Sequence, residues 1–376
     1  MSSELKVYAS PERYVQGRNA TDHLGSQMKK LSMKGPVVVV TSATPKRLLE
    51  DRWTKSLHDH HYEFTTLDFG GTATIVEAER IANEVLRTRA KTLVAFGGGQ
   101  TIDTAHFAVN LVGDGHNLEF ISCPTVASTN APSSAVCVMY HENQTYDGYR
   151  IARRHPSLVL VDTTAISQSP PRMLVSGLGD AVATWFEARS IREAGSKNFL
   201  GGLPTETSTA LSKLCLDIIL RDGPAAVQSV EARAVTPALE RVVEANTLLS
   251  GIGFESGGLS VAHSLLNGFT SQPQCSEYTH GEKLAFGLLV QLVLEGRPQD
   301  EITQILTFNT SVGLPVTLNG VGVDSNDIKA LQEIAERALA PKESAHNEPF
   351  EVTVNMLVDA IRVADLSGVN FLERKL

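Results

Sequence analysis

The first 160 or so residues alternate short, continuously apolar runs with longer amphipathic segments, and that alternation leaves few folds open. Pro36-Val37-Val38-Val39-Val40-Thr41 offers no polar position to either side of a pleat, so it reads as a strand buried on both faces. A helix from about Pro45 follows, the proline suiting a first turn. Residues 63–68 read as the next strand. Residues 74–89 carry Ile75, Ala78, Ile81, Ala82 and Val85 at helical spacing. Thr92-Leu93-Val94-Ala95-Phe96 is a strand running straight into Gly97-Gly98-Gly99, and two more strands are predicted at 118–122 and 158–161. Strands alternating with helices form right-handed βαβ units and a parallel sheet. After Ser169-Pro170-Pro171 strand-like runs almost vanish, and helical periodicity dominates, as in 208–220 and 283–294.

The turn Gly97-Gly98-Gly99-Gln100-Thr101-Ile102-Asp103 ends a strand and opens a helix. Glycines let the backbone turn tightly and approach a ligand, and the free N–H groups of the helix favour an anion such as pyrophosphate. It is neither GxGxxG nor a Walker loop. The plainer reading is a tight βα turn in which Asp103 only complements the helix dipole. The expected architecture is a Rossmann-like α/β dinucleotide-binding domain over residues 1–165, followed by an all-helical metal-binding domain over 166–376, with the ligand cleft between them.

Composition narrows the partners. With 33 basic and 42 acidic residues the formal charge is -9, and no basic run occurs, so nucleic acid is not an expected partner. No stretch of roughly 18 uncharged apolar residues exists for a membrane span. The start, Met1-Ser2-Ser3-Glu4-Leu5-Lys6, lacks the apolar core of a secretion signal. Cys123, Cys137, Cys215 and Cys275 lie far apart without a CxxC pair, which suits a reducing, cytoplasmic setting.

Three segments of the helical half carry metal-ligand chemistry. Gly177-Leu178-Gly179-Asp180-Ala181 presents a carboxylate after a glycine turn. Gly257-Gly258-Leu259-Ser260-Val261-Ala262-His263 and Tyr278-Thr279-His280-Gly281-Glu282-Lys283 each set a histidine among small residues. One carboxylate and two neutral imidazoles make a three-ligand site with a vacant position, which can take a substrate hydroxyl and make it more acidic. Taken singly, each residue has a bland reading: a helix cap for Asp180, a hydrogen-bonded core residue for either histidine. The cluster His58-Asp59-His60-His61 looks metal-like, but its polar setting reads as a solvated loop.

These segments resemble the glycerol dehydrogenase branch of the iron-containing (group III) alcohol dehydrogenase superfamily. The most specific stretch runs from Gly258-Leu259-Ser260-Val261-Ala262-His263 to His280-Gly281-Glu282-Lys283-Leu284-Ala285-Phe286-Gly287. Pro124-Thr125-Val126-Ala127-Ser128-Thr129-Asn130-Ala131-Pro132-Ser133-Ser134 looks like the family's PTxASTDAPxS loop. The resemblance implies Asp180, His263 and His280 as catalytic metal ligands for zinc, with iron(II) or manganese(II) as alternatives. It implies a dinucleotide near Gly97, Gly98, Gly99, Gln100, Thr101 and Asp103, with Thr125, Ser128, Ser134, Val136 and Tyr140 also close to it. It further implies hydride transfer between NAD or NADP and a small alcohol or ketone, in a homo-oligomer. Iron-using relatives carry a fourth ligand where Thr184 stands and a histidine where Asn267 stands; both differences favour zinc.

Two departures bear on specificity. The family's substrate-contacting aspartate is Asn130 here, a neutral residue at a candidate substrate position. Ser42 ends the first long strand where NAD-preferring relatives carry an aspartate for the ribose diol, so NADP stays open. Three other readings compete. A dehydroquinate synthase-like enzyme of the same superfamily would need several basic residues in the cleft, and the loops quoted hold little beyond Lys283. A non-catalytic binding protein would not need Asp180, His263 and His280 together. A two-histidine, one-carboxylate iron oxygenase would show an all-β pattern.

Overall fold

The structure, a computed structural model, describes residues 5–374; Met1 to Glu4, on which the reading of the chain start partly rests, lie outside the described residues. Six strands form a parallel sheet in the order β1-β8-β5-β4-β2-β3. They are β1 (Tyr14–Gly17), β2 (Val37–Thr41), β3 (Phe64–Asp68), β4 (Thr92–Gly97), β5 (Glu119–Pro124) and β8 (Leu158–Asp162). In β2, Val39 stands between Thr66 of β3 and Val94 of β4. Its apolar run is explained by both faces. Val38 and Val40 pack with Ile81, Val85, Ile102 and Ala105, which come from α2 (Ile75–Thr88) and α3 (Gly99–Val112). Val37 and Val39 pack instead with Trp53 and Leu57 of α1 (Ala43–Asp59) and with Met28.

Two regions depart from the sequence expectation. α1 starts before Pro45 and runs through His58 and Asp59, so half of the histidine-rich stretch closes a helix, while His60 and His61 form the turn that follows. There Lys55 pairs with Asp59 at 2.6 Å and the His60 ring meets the Ser56 carbonyl at 2.9 Å. The edge strand β1 and the antiparallel hairpin of β6 (Val136–Tyr140) and β7 (Tyr146–Ile151) carry no sequence prediction. β1 has four residues, all half-buried, and Tyr146-Asp147-Gly148-Tyr149-Arg150 mixes polar and aromatic positions, so neither shows a clean period.

The chain forms two compact units. The sheet unit comprises Ala9–Met173 and also Gln228–Gly251, a stretch that a division near residue 165 assigns to the helical half. Side chains beside the sheet edge hold it. Tyr14 meets Thr247 at 2.9 Å, Gln16 donates to Glu240 at 2.6 Å, and Thr163 donates to the same carboxylate at 2.8 Å. Helical periodicity identifies such a segment as a helix but does not say which core it joins.

The helical unit holds Leu174–Val227 and Ile252 onward. Three of its helices matter most: α4 (Pro171–Ala194), α5 (Val261–Gly268) and α6 (His280–Leu294). α6 opens on a capping box: Thr279 Oγ1 accepts the Glu282 N–H at 3.3 Å, and the Glu282 carboxylate accepts the Thr279 N–H at 2.7 Å. α4 and α6 touch backbone to backbone. A Cβ on Gly281 would fall inside the Ser176 carbonyl, and one on Gly179 would strike the Gly281 carbonyl. Farther along α6, a Cβ on Gly287 would lie 2.9 Å from the Ala262 carbonyl of α5. Among the described residues no helix is long and apolar enough to cross a membrane.

Because the Gly281 contact is with backbone, no rotamer change can relieve it. Gly281→Ala should destabilise the protein by about 3 kcal/mol or more, at the upper end of overpacking costs. Gly17→Ala, where a Cβ meets nothing within 4 Å, serves as the near-neutral control. Denaturant unfolding of both variants measures the difference; equal midpoints would show that the two helices separate freely.

Candidate metal centre

Asp180 projects from α4, His263 is the third residue of α5, and His280 is the first residue of α6. The glycine crossings just described bring these three helices within reach of one point. Asp180 Oδ1 lies 3.8 Å from His263 Nε2 and 3.6 Å from His280 Nε2, and one ligand atom from each residue falls within 4.8 Å of the others. Two ligands about 2.0–2.1 Å from a tetrahedral ion stand roughly 3.4 Å apart, so the spacing fits a single divalent ion. Asp180 and His263 are buried, whereas the His280 side chain is 35% exposed, which opens the cluster on one side. One carboxylate oxygen and two imidazole nitrogens suit zinc, iron(II) and manganese(II) alike. Among the described residues no other group of three such side chains converges, and His58 to His61 do not.

The start of α5 is built in an unusual way. Its N-cap residue, Ser260, supplies no side-chain cap. Instead the Glu187 Oε1 of α4 accepts the N–H groups of Ser260 at 2.9 Å and of His263 at 3.1 Å. Gln291 of α6 accepts the Ala262 N–H at 2.9 Å, and the Ser260 hydroxyl donates to the Glu348 carboxyl. The N–H groups of Ser260, Ala262 and His263 are therefore met by buried side chains from elsewhere, each bond avoiding a desolvation cost of about 1–3 kcal/mol. Burial, and then the neighbouring Glu295, push the Glu348 carboxyl up to about 8.

Glu187 Oε2 also lies 2.6 Å from His263 Nδ1. A carboxylate only accepts, so Nδ1 carries the proton and Nε2 turns its lone pair toward Asp180 and His280. Burial works to lower the His263 pKa, but Glu187 and then Asp180 outweigh it and raise it overall. Sequence reading missed Glu187. Glu187 follows Asp180 by two helical turns and so shares its face of α4, but that spacing alone does not set it apart from other helical glutamates.

Two neighbours separate this cluster from a four-ligand one. Thr184, one turn after Asp180, has its hydroxyl 3.4 Å from the Asp180 carbonyl. Asn267 donates to Glu343 at 2.8 Å.

The residues expected around a dinucleotide gather in the sheet unit. β4 ends at Gly97, and Gly98 caps α3 in an ordinary extended conformation, so no glycine of the turn is required by a left-handed backbone. A Cβ on Gly98 would meet only Val126 Cγ2, at 3.4 Å; the protein itself does not demand glycine there. The loop after β5 borders the turn, with the Thr125 N–H on the Gly97 carbonyl at 3.0 Å and Thr129 against Gly99. Ser42 stands beside it, its N–H 3.4 Å from the Phe96 carbonyl, and its side chain makes no cap bond.

Several of these side chains serve the fold. Gln100 accepts the Ala73 N–H at 3.0 Å, the Ser134 hydroxyl bonds the Val136 backbone at 3.2 Å, and Thr101 packs under Gly97. Asp103 is buried, accepts the Val138 N–H at 3.1 Å, and is pushed up to about 8 by burial. Ser128 and Val136 are buried, while Tyr140 and Asn130 are half-buried, Asn130 on the loop between β5 and β6.

Residues 11–163 match the family described as iron-containing alcohol dehydrogenase. The glycerol dehydrogenase of Citrobacter freundii is 40% identical over 370 residues, which are 98% of this chain and 100% of that one. The glycolaldehyde reductase of Halobacterium salinarum is 38% identical over 96% of this chain and 98% of its own. The crystal structure of glycerol dehydrogenase from Schizosaccharomyces pombe superposes with a TM-score of 0.93 at 32% identity, covering 99% of this chain and 93% of that one. The two-unit fold, the converging Asp180, His263 and His280, and full-length identity of this order lead to one conclusion: the chain belongs to the iron-containing alcohol dehydrogenase family and is a glycerol dehydrogenase-like oxidoreductase.

Proposed function

We propose that this enzyme interconverts a small polyol and its carbonyl partner with NAD or NADP, using one divalent ion, zinc first, held by Asp180, His263 and His280. The observation that carries this reading is the convergence of three ligand atoms in a cluster open on the His280 side. When bound, the ion acts as a Lewis acid that makes an alcohol hydroxyl more acidic, and the nicotinamide accepts the hydride. The protein's part is positional. Asp180 and His263 are fixed on buried helices, while the exposed edge of His280 leaves room for a substrate of a few carbons. In the sheet unit Gly98 keeps the first N–H groups of α3 bare, as an incoming pyrophosphate requires. Ser42, with an unused hydroxyl, is assigned to the adenosine ribose, where it can donate to a 2′-phosphate that an aspartate would repel.

The substrate reading extends to hydroxy carbonyl compounds. One relative at 38% identity is named a glycolaldehyde reductase, whose named substrate carries a hydroxyl beside an aldehyde. Asn130 is neutral and both donates and accepts, so it tolerates a second carbonyl or a carboxylate where an aspartate would not. We therefore assign to this chain vicinal diols, α-hydroxy ketones or short 2-hydroxy acids at least as readily as glycerol.

Three experiments test these assignments. His263→Ala and His280→Ala should remain folded yet lose bound zinc by elemental analysis, with turnover down roughly 100-fold or more, beyond the loss typical of an outer-shell partner. Zinc returned to chelator-treated wild type should restore activity, and wild-type turnover by either variant in chelator would refute the ligand set. Gly98→Ala should leave the unfolding midpoint nearly unchanged while raising the KM for the dinucleotide about tenfold, and Ser42→Asp should move the NAD/NADP preference toward NAD. An unaltered ratio would remove Ser42 from the ribose. Finally, Asn130→Asp should improve glycerol turnover relative to a C3–C4 diol and a 2-hydroxy acid. A wild type that prefers glycerol, with no change on substitution, would overturn the substrate reading.

A further inference from the structure

Resting on the metal site proposed above, we infer that Glu187 is a positioning residue: it holds His263 in the one tautomer that can bind the ion. The Glu187 carboxylate is fully buried, and among the described residues the only basic side chain within ion-pairing distance of it is His263. A buried carboxylate without a lysine or arginine is costly unless its acceptor sites are filled. Here they are filled by three donors: the N–H groups of Ser260 and His263 on Oε1 and the His263 ring on Oε2. The positive end of the α5 dipole adds to the compensation.

This arrangement couples two tasks that a neutral residue cannot perform together. Glutamine has the same shape but one acceptor oxygen and one donor amide. If its oxygen caps α5, its amide faces Nδ1, the ring proton moves to Nε2, and the lone pair aimed at Asp180 is lost. If the amide is flipped, its N–H groups face those of Ser260 and His263, leaving two buried donors without partners. Either outcome loosens the ligand. Only a carboxylate caps the helix and sets the tautomer at once.

The test compares metal affinity with folding. Apo-protein is titrated with Zn²⁺ against a chromophoric chelator for wild type, Glu187→Gln, Glu187→Asp and His263→Ala, and unfolding midpoints are recorded for each. Glu187→Gln should stay folded yet bind zinc 10–100-fold more weakly, the range typical of lost outer-shell partners. Glu187→Asp, which keeps the charge on a shorter stem, should recover part of that loss. If Glu187→Gln lowers only the midpoint and binds zinc as tightly as wild type while His263→Ala does not, Glu187 is a cap and the inference is overturned with the metal site intact. If His263→Ala itself keeps wild-type affinity, the metal reading falls. Should Glu187→Gln not fold, ¹⁵N–¹H correlation on histidine-labelled apo wild type decides: the Nδ1–H form of His263 supports the inference, and the Nε2–H form overturns it.

Discussion

The backbone contact between α4 and α6 at Gly179 and Gly281 governs the geometry of the helical unit. Asp180 follows one of these glycines and His280 precedes the other, so the distance between two ligand candidates is set by how closely the helices approach. With side chains at the crossing, the axes would stand at the usual 8–10 Å of packed helices. The same helix meets α5 at Gly287, against the Ala262 carbonyl, and Ala262 adjoins His263. Small residues beside each histidine thus act less by clearing space for a ligand than by letting main chains touch.

Close packing of this kind buries helix ends, and buried ends need partners. α5 begins inside the unit, where its first N–H groups are buried, and Glu187 and Gln291 meet three of them. Gln291 is tied in turn to Ser190 and Glu295. A polar network of this density gives less stability than an apolar core of equal size, but it fixes orientation. At His263 the orientation of a single ring decides whether a lone pair is available.

In the sheet unit the balance is reversed. Gln100 and Asp103, on the helix that follows the glycine turn, and Ser134, just before β6, are engaged by the protein's own backbone. What remains for a ligand there is chiefly main chain: the N-terminus of α3, with Gly98 adding no side chain before it. Asp103 therefore ties α3 to β6, and its buried carboxyl is pushed up rather than left as a free charge beside a phosphate.

Much of the fold was legible in residue order, because strand and helix periods are local. The run Val37-Val38-Val39-Val40 requires two covered faces wherever it sits, and two cores cover it. The metal ligand candidates were legible too, as chemistry-bearing side chains in small-residue surroundings. Elements whose pattern is set by distant neighbours were not legible. β1 is a strand because β8 pairs with it, and Gln228–Gly251 joins the sheet unit through Tyr14, Gln16 and Thr163. Glu187 belongs with them. Its sequence neighbours give no reason to set it apart from any other helical glutamate, and only tertiary packing puts its two oxygens against one helix end and one imidazole. Period and composition are properties of a segment, whereas a hydrogen-bond partner 76 residues away is a property of the folded chain.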